Sequence, residues 1–300
     1  MHLHAPVRAP FSFAQSLAFI GRFAPCRDAV VLDHDAVTAA VAIGGRAVPF
    51  TVRAAPAGLA IEVADDLAPA AAALVVERAR QWLSADDDLT GFLAAAAGDH
   101  PAYRAVVAAL AGLHHVRFLS LAEITVYAVL TQRTPIVQAA RARQRFAARF
   151  GHPAVVRGVT LHAFPALDEL VGLDVDELRE VVRQPAKAAV LPGVIRGVAA
   201  LGEAFLRGAP YGAARDALLA IHGLGPFSAA MILLRGLGRM DDVPLDGKNF
   251  VEPARAVYGA AFDPVAIRRR YGADLGTWSF YLKTGAPRLA ALGVDAAPAA

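Results

Sequence analysis

Apolar and polar residues alternate from about residue 28 to residue 63, with Val41, Ile43, Val48, Phe50, Val52, Leu59, Ile61 and Val63 on the apolar positions. A period of two sends alternate side chains to one face of a strand. Gly44-Gly45 and the stretch from Pro56 to Gly58 break the alternation with turn residues. The pattern predicts a small antiparallel sheet. From "LAPAAAALVVERARQWLSADDDLTGFL" onward the period is helical, and no later segment alternates.

Local signals mark where these helices begin and end. Ser120 and Glu123 have capping-box spacing ahead of "ITVYAVLTQ", the serine accepting from a free amide and the glutamate reaching back. Thr134-Pro135 supplies a cap and a first-turn proline for "IVQAARARQRFAARF", which Gly151 closes. Arg141, Arg143, Arg145 and Arg149 on that helix read as a solvated face, with phosphate contact as the alternative. Asp174 with Glu177 starts a further helix, and "PAKAAVLPGVIRGVAALGEAFL" and "YGAARDALLAI" supply two more. The expected class is α+β: a sheet-containing N-terminal domain over residues 1–109 and an all-helical domain over residues 110–300.

One corner of the helical part stands apart. In "IHGLGPFSAAMILLRG" two glycines and a proline fall within four residues, between apolar runs. Gly223 can take the left-handed conformation that ends a helix, Leu224 plugs the turn into the core, and Pro226 presets the next helix where an amide is spare. Gly225 removes a side chain where the backbone turns outward. The segment reads as two helices joined by a tight hairpin whose free amides can accept a phosphate. Capping of two packed helices is the alternative. It is no dinucleotide fingerprint, because no strand precedes it.

Composition narrows the classes. At 300 residues and 56% hydrophobic the chain can bury two cores. No stretch reaches the roughly 18–20 uninterrupted apolar residues of a membrane span, and the first residues lack the apolar core and cleavage site of a secretory signal. A cytoplasmic, nucleoid-associated protein with no membrane partner is expected. Cys26, the only cysteine, excludes an internal disulfide, a four-cysteine zinc site and a cysteine-held iron–sulfur cluster. His2, His4, His114 and His115 lack the spacing of a zinc site, so no metal is assigned. A net charge of +3 permits a nucleic-acid partner without requiring one.

Twenty-one residues after Gly225 lies Asp246, in "RGLGRMDDVPLDGKNF". Here the sequence resembles the helix-hairpin-helix DNA glycosylase superfamily, in which a Leu-x-Gly-x-Gly hairpin precedes a helix and then a loop delivering one aspartate. "IHGLGPFSAA" is similar to the hairpin, with Ile221 for leucine, and "VPLD" to the loop. "ITVYAVLTQRTPIVQAARARQRFAARFG" is similar to the first core helices. "PFSFAQSLAFIGRFAP" ahead of a small sheet is similar to the alkyladenine branch, the bacterial 3-methyladenine glycosylase II type. The adjacent acids of that branch read Asp246-Gly247 here.

The resemblance implies duplex DNA with a damaged base as partner, a monomer, and hydrolysis of an N-glycosidic bond, probed by Asp246 as the catalytic acid group. Asp241 and Asp242 are its rivals and more simply solvate a loop. Bifunctional members carry a lysine where this chain has Phe227, so water is the expected nucleophile and strand cleavage is not expected. Gly223, Leu224, Gly225, Phe227 and Ser228 would grip the DNA backbone. Gln132 and Arg133 would also contact DNA, Arg133 standing where a side chain wedges into the duplex. Lys248 is a phosphate contact or an exposed lysine. Alkylated purines are often cationic and suit aromatic faces; Phe13, Tyr127, Trp278 and Tyr281 are the base-pocket candidates, with core packing as the alternative for each. No cofactor is required, though a monovalent cation at the carbonyls of Gly223 and Gly225 fits the resemblance. A DNA-binding module that kept the hairpin and lost the chemistry is the second reading, and a helical protein-binding scaffold the third.

Overall fold

The computed structural model describes residues 1–289, so the end of the assigned helical domain, 290–300, lies outside the described residues. Strands β1 (His2–Ala5), β2 (Val31–Leu32), β3 (Ala36–Ile43), β4 (Arg46–Ala55) and β5 (Gly58–Glu62) form one antiparallel sheet in the order β1-β5-β4-β3-β2. The register sets Val41 opposite Val48 and Val52 opposite Ile61, which gathers the alternating apolar positions on one face. The reading of the sequence began the sheet near residue 28 and missed β1, whose four residues are too few to show a period and which pairs with β5.

Helix α1 (Phe13–Arg22) follows β1, with the Ser12 hydroxyl accepting from the Gln15 amide. Helix α2 (Pro69–Trp82) covers the sheet, burying Val75, Ala79 and Trp82 in a first core with Phe50. Then come α3 (Thr90–Ala97), α4 (Pro101–Ala109), α5 (Leu121–Leu130) and α6 (Ile136–Phe150). The helical part continues with α7 (Leu167–Leu170), α8 (Val175–Val182), α9 (Pro185–Leu201), α10 (Glu203–Gly208), α11 (Tyr211–Leu219) and α12 (Pro226–Met231), the last running into a π-helical stretch, Ile232–Gly236. It closes with α13 (Lys248–Tyr258), α14 (Pro264–Tyr271) and α15 (Leu275–Gly285).

Two further cores organise these helices. Every residue of α5 is buried, and α6, α8, α9 and α12 pack round it. Helices α3 and α4 instead share a core with α13, α14 and α15, centred on Tyr103, Trp278 and Tyr281. Between α6 and α7 lies a hairpin of β6 (His152–Val156) and β7 (Val159–Ala163), which packs on β3 and β4. Its alternation is hidden because the outer positions are also apolar: Leu161 and Ala163 are buried while Val155 and Val159 face solvent. Among the described residues no helix is long and apolar enough to cross a membrane.

Two caps differ from expectation. Ser120 accepts from the Glu123 amide at 3.1 Å, but the Glu123 carboxylate turns inward to Arg143, whose Nη2 lies 2.5 Å away. Arg143 is therefore buried and paired, not part of a solvated face. A buried carboxylate left without this partner would cost several kcal/mol, and the pairing outweighs the cap. Helix α6 is capped by Pro135 with no side-chain bond, the Thr134 hydroxyl donating to the Gln132 carbonyl and accepting from Lys187. Asp174 and Glu177 make the reciprocal box as expected.

Candidate active-site cleft

The corner between α11 and α12 is built by its glycines for different reasons. Gly223 has φ +98°, and a Cβ there would meet the Val190 side chain at 3.0 Å. Both backbone and packing require glycine. Gly225 has an ordinary φ of −102°, and a Cβ there would meet nothing within 4 Å. Nothing inside the protein excludes a side chain at Gly225, which leaves the approach of something from outside as a reason for its absence. Leu224 is buried beneath the turn. The first intrahelical bond of α12 runs from the Ala229 amide to the Gly225 carbonyl, so the amides of Phe227 and Ser228 are the helix's leading donors.

The turn between α5 and α6 is tied to this corner. Gln132 donates from Nε2 to the Gly223 carbonyl at 2.8 Å and to the Ser228 hydroxyl at 3.1 Å. Ser228 is buried and in turn donates to the Ala128 carbonyl. This corrects the reading of Gln132 and Ser228 as side chains that touch DNA: their polar groups lock two turns together, and Ser228 has only its amide to offer. The Gly223 oxygen, one of the two carbonyls named for a monovalent cation, accepts this one bond and keeps a second lone pair. Among the described residues no three His, Cys, Asp or Glu side chains are placed to hold a metal ion.

Lys187, which the sequence reading passed over, is buried and caps the end of α5 through the Leu130 carbonyl at 2.6 Å and the Thr134 hydroxyl. Burial pulls its pKa down. The next residue after Gln132, Arg133, is thereby held exposed with φ +49°, an uncommon conformation for a residue with a side chain. Ile136 and Val137 are exposed just beyond it.

The loop that follows the π-helical stretch separates three carboxylates. Asp242 pairs with Arg268 and accepts from the Val243 amide at 2.8 Å, while Asp241 accepts from Arg239 at 3.2 Å. Asp246 is exposed on the turn before α13 and makes no ion pair or side-chain hydrogen bond among the described residues. The rivals are structural; Asp246 is the free acid group. Lys248, in the first turn of α13, is exposed and 3.4 Å from Glu252 one turn on, the geometry of a solvated helix pair.

A cleft of about 760 Å³ opens beside these elements. Phe227 and Met231 from α12, Val243 and Pro244 from the loop, Phe250 from α13 and Phe280 from α15 form much of its wall. Helix α1 contributes Phe19 and Arg22, followed by Phe23. Asp246 is not itself a lining residue; it is exposed in the chain between two that are, Pro244 and Phe250. Tyr127 lines the cleft as expected. Phe13, Trp278 and Tyr281 do not: Phe13 is buried in the sheet core, and Trp278 and Tyr281 are buried in the α3–α4–α15 core. Their place follows from their bonds, since Trp278 donates to the Tyr258 hydroxyl at 2.9 Å and Tyr281 to the Leu113 carbonyl at 2.8 Å.

The cleft carries charge of one sign. Arg235 lies over the rings of Phe23, Phe19 and Phe280, its Cζ 4.6, 5.3 and 5.5 Å from their centroids. Loss of solvent lowers its pKa to about 10, which still leaves it charged at neutral pH. Lys283 places Nζ 3.7 Å from the Phe250 ring centroid, open to the cleft yet hemmed by protein, and desolvation with the nearby Arg235 charge brings it to about 8.

No protein-family model matches the chain. Over 168 residues it is 32% identical to a probable bifunctional transcriptional activator/DNA repair enzyme AlkA of Mycobacterium tuberculosis, a match covering 56% of this chain and 33% of that protein. The chain thus spans about a third of the length of that curated relative. Among solved structures it superposes on a 3-methyladenine DNA-glycosylase from Archaeoglobus fulgidus with TM-score 0.78 at 18% identity, over 96% of this chain and 98% of the other. It also superposes on an 8-oxoguanine glycosylase/lyase of Clostridium acetobutylicum with TM-score 0.64 at 14% identity, over 85% and 98%. A sheet-bearing N-terminal part followed by a helix-hairpin-helix part is the fold of these DNA glycosylases. The chain shares that fold over nearly its whole length.

Proposed function

We propose that this protein is a monofunctional DNA glycosylase that acts as a monomer on duplex DNA and hydrolyses the N-glycosidic bond of damaged purines, alkylated ones among them, in base excision repair. The observation that carries the reading is the exposed Asp246 carboxylate, without a side-chain partner among the described residues, on the loop whose Val243 and Pro244 line an aromatic cleft that Phe227 of the hairpin helix also lines.

The glycosidic carbon is out of reach inside the base stack, so the nucleotide must be extruded at a cost of a few kcal/mol. The amides of Phe227 and Ser228 would hold a phosphate, a contact blind to sequence, and Lys248 would add a second. Arg133, presented by the turn that Lys187 and Gln132 brace, would fill or stack against the vacated space. As the base departs the sugar takes on oxocarbenium character, and the Asp246 carboxylate stabilises that charge and orients the attacking water. Phe227 stands where an amine nucleophile would be needed, so the reaction ends at the abasic site without strand cleavage.

Asp246→Asn separates this from a DNA-binding module without chemistry. Base release from methylated, deaminated and oxidised duplexes should fall on the order of 10²–10³-fold, as when an electrostatic stabiliser is removed, while affinity for duplex DNA holds. A wild-type protein that binds duplexes and frees no base from any of them establishes the binding module instead.

A further inference from the structure

Among the described residues, five buried side-chain nitrogen or oxygen atoms have no hydrogen-bond partner, and three of them belong to residues lining the 760 Å³ cleft: His115 Nδ1, Tyr127 Oη and Arg235 Nη2. All three are donors. Arg235 Nη1 lies 3.1 Å from His115 Nε2, and a guanidinium only donates, so Nε2 accepts and the imidazole proton sits on Nδ1. Burial and the Arg235 charge hold His115 neutral, which keeps that tautomer. Tyr127 and His115 are almost wholly buried, at 2% exposure each. A buried donor without an acceptor costs about 1–3 kcal/mol, so three round one cavity are not explained by packing.

The remaining charges have the same polarity. Arg22, Arg235, Lys283 and Arg288 line the cleft, and no aspartate or glutamate does among the described residues. Glu123, the nearest acid behind Tyr127, is taken up by Arg143. Asp246, on the loop that supplies Val243 and Pro244, is not among the lining residues.

Resting on the glycosylase reading, the geometry points to an uncharged purine that presents hydrogen-bond acceptors, such as a 6-oxo purine, as the base this cleft prefers over a cationic N-methylated one. Acceptors on the base would satisfy the orphaned donors of Tyr127, His115 and Arg235, with Lys283 as a further donor. A cationic base would bring its charge against Arg235 and Lys283 and, methylated on a ring nitrogen, would offer one acceptor fewer. The aromatic walls bind either kind, so the discrimination rests on the polar groups.

The test is single-turnover release from duplexes carrying one hypoxanthine or one 7-methylguanine, each rate divided by that lesion's spontaneous loss. Wild-type protein should favour hypoxanthine by about tenfold or more, the worth of one good hydrogen bond. Tyr127→Phe should lower that ratio several-fold through the hypoxanthine arm, and Lys283→Met through both arms, by the loss of a donor to hypoxanthine and of a repulsion against 7-methylguanine. A normalised preference for 7-methylguanine, or a ratio that neither substitution moves, overturns the inference and leaves the glycosylase standing. Release of neither base, nor of any other lesion, overturns both together.

Discussion

Two aromatic clusters share α15, which gives Trp278 and Tyr281 to one and Phe280 to the other, and their polar groups are treated in opposite ways. In the cluster of Tyr103, Tyr258, Tyr271, Trp278 and Tyr281 every ring donor has a partner: the Trp278 carbonyl, Asp99, Asp99, the Tyr258 hydroxyl and the Leu113 carbonyl, in that order. In the cleft, Tyr127, His115 and Arg235 each keep a donor unspent. Aromatic content does not distinguish a core from a binding site. The account of hydrogen bonds does.

Trp278→Ala is the largest expected break, since it empties a fully buried indole position and frees the Tyr258 hydroxyl; unfolding in urea should show a loss of about 3–5 kcal/mol. The hairpin glycines give an intermediate contrast. Gly223→Ala meets both a positive φ and Val190, and should cost more than about 1 kcal/mol by the same measurement. Gly225→Ala should be neutral or stabilising by up to about 1 kcal/mol, yet weaken duplex binding, because only the outside of the molecule needs that space. The finest contrast is between two hydroxyls. Tyr281→Phe orphans the Leu113 carbonyl and should cost about 1–2 kcal/mol, whereas Tyr127→Phe removes a donor that bonds to nothing and should leave stability within about 0.5 kcal/mol. Equal losses at the two tyrosines would erase the distinction between core and cleft.

This contrast also explains what could be read from the chain beforehand. The sheet and the hairpin corner were legible because alternation and glycine conformation are local properties, whereas Asp246 stood out only through the resemblance. Tyr127, Trp278 and Tyr281 look alike in sequence, each an aromatic on an apolar helix. Only tertiary contacts assign one to the cleft and two to the core. Arg235, Lys283 and His115 gave no signal at all: each owes its importance to neighbours at least several helices away. Ser228 and Gln132 were found by spacing, but their role as a brace needed distances. The β6–β7 hairpin escaped because apolar residues occupy both of its faces.

The walls of the cleft join residues 19–23 to residues 279–288, so the two ends of a long stretch of chain must meet before any enclosure exists. While it is being synthesised the polypeptide can fold its sheet and even its hairpin, yet it holds no chamber for a base until α15 has emerged.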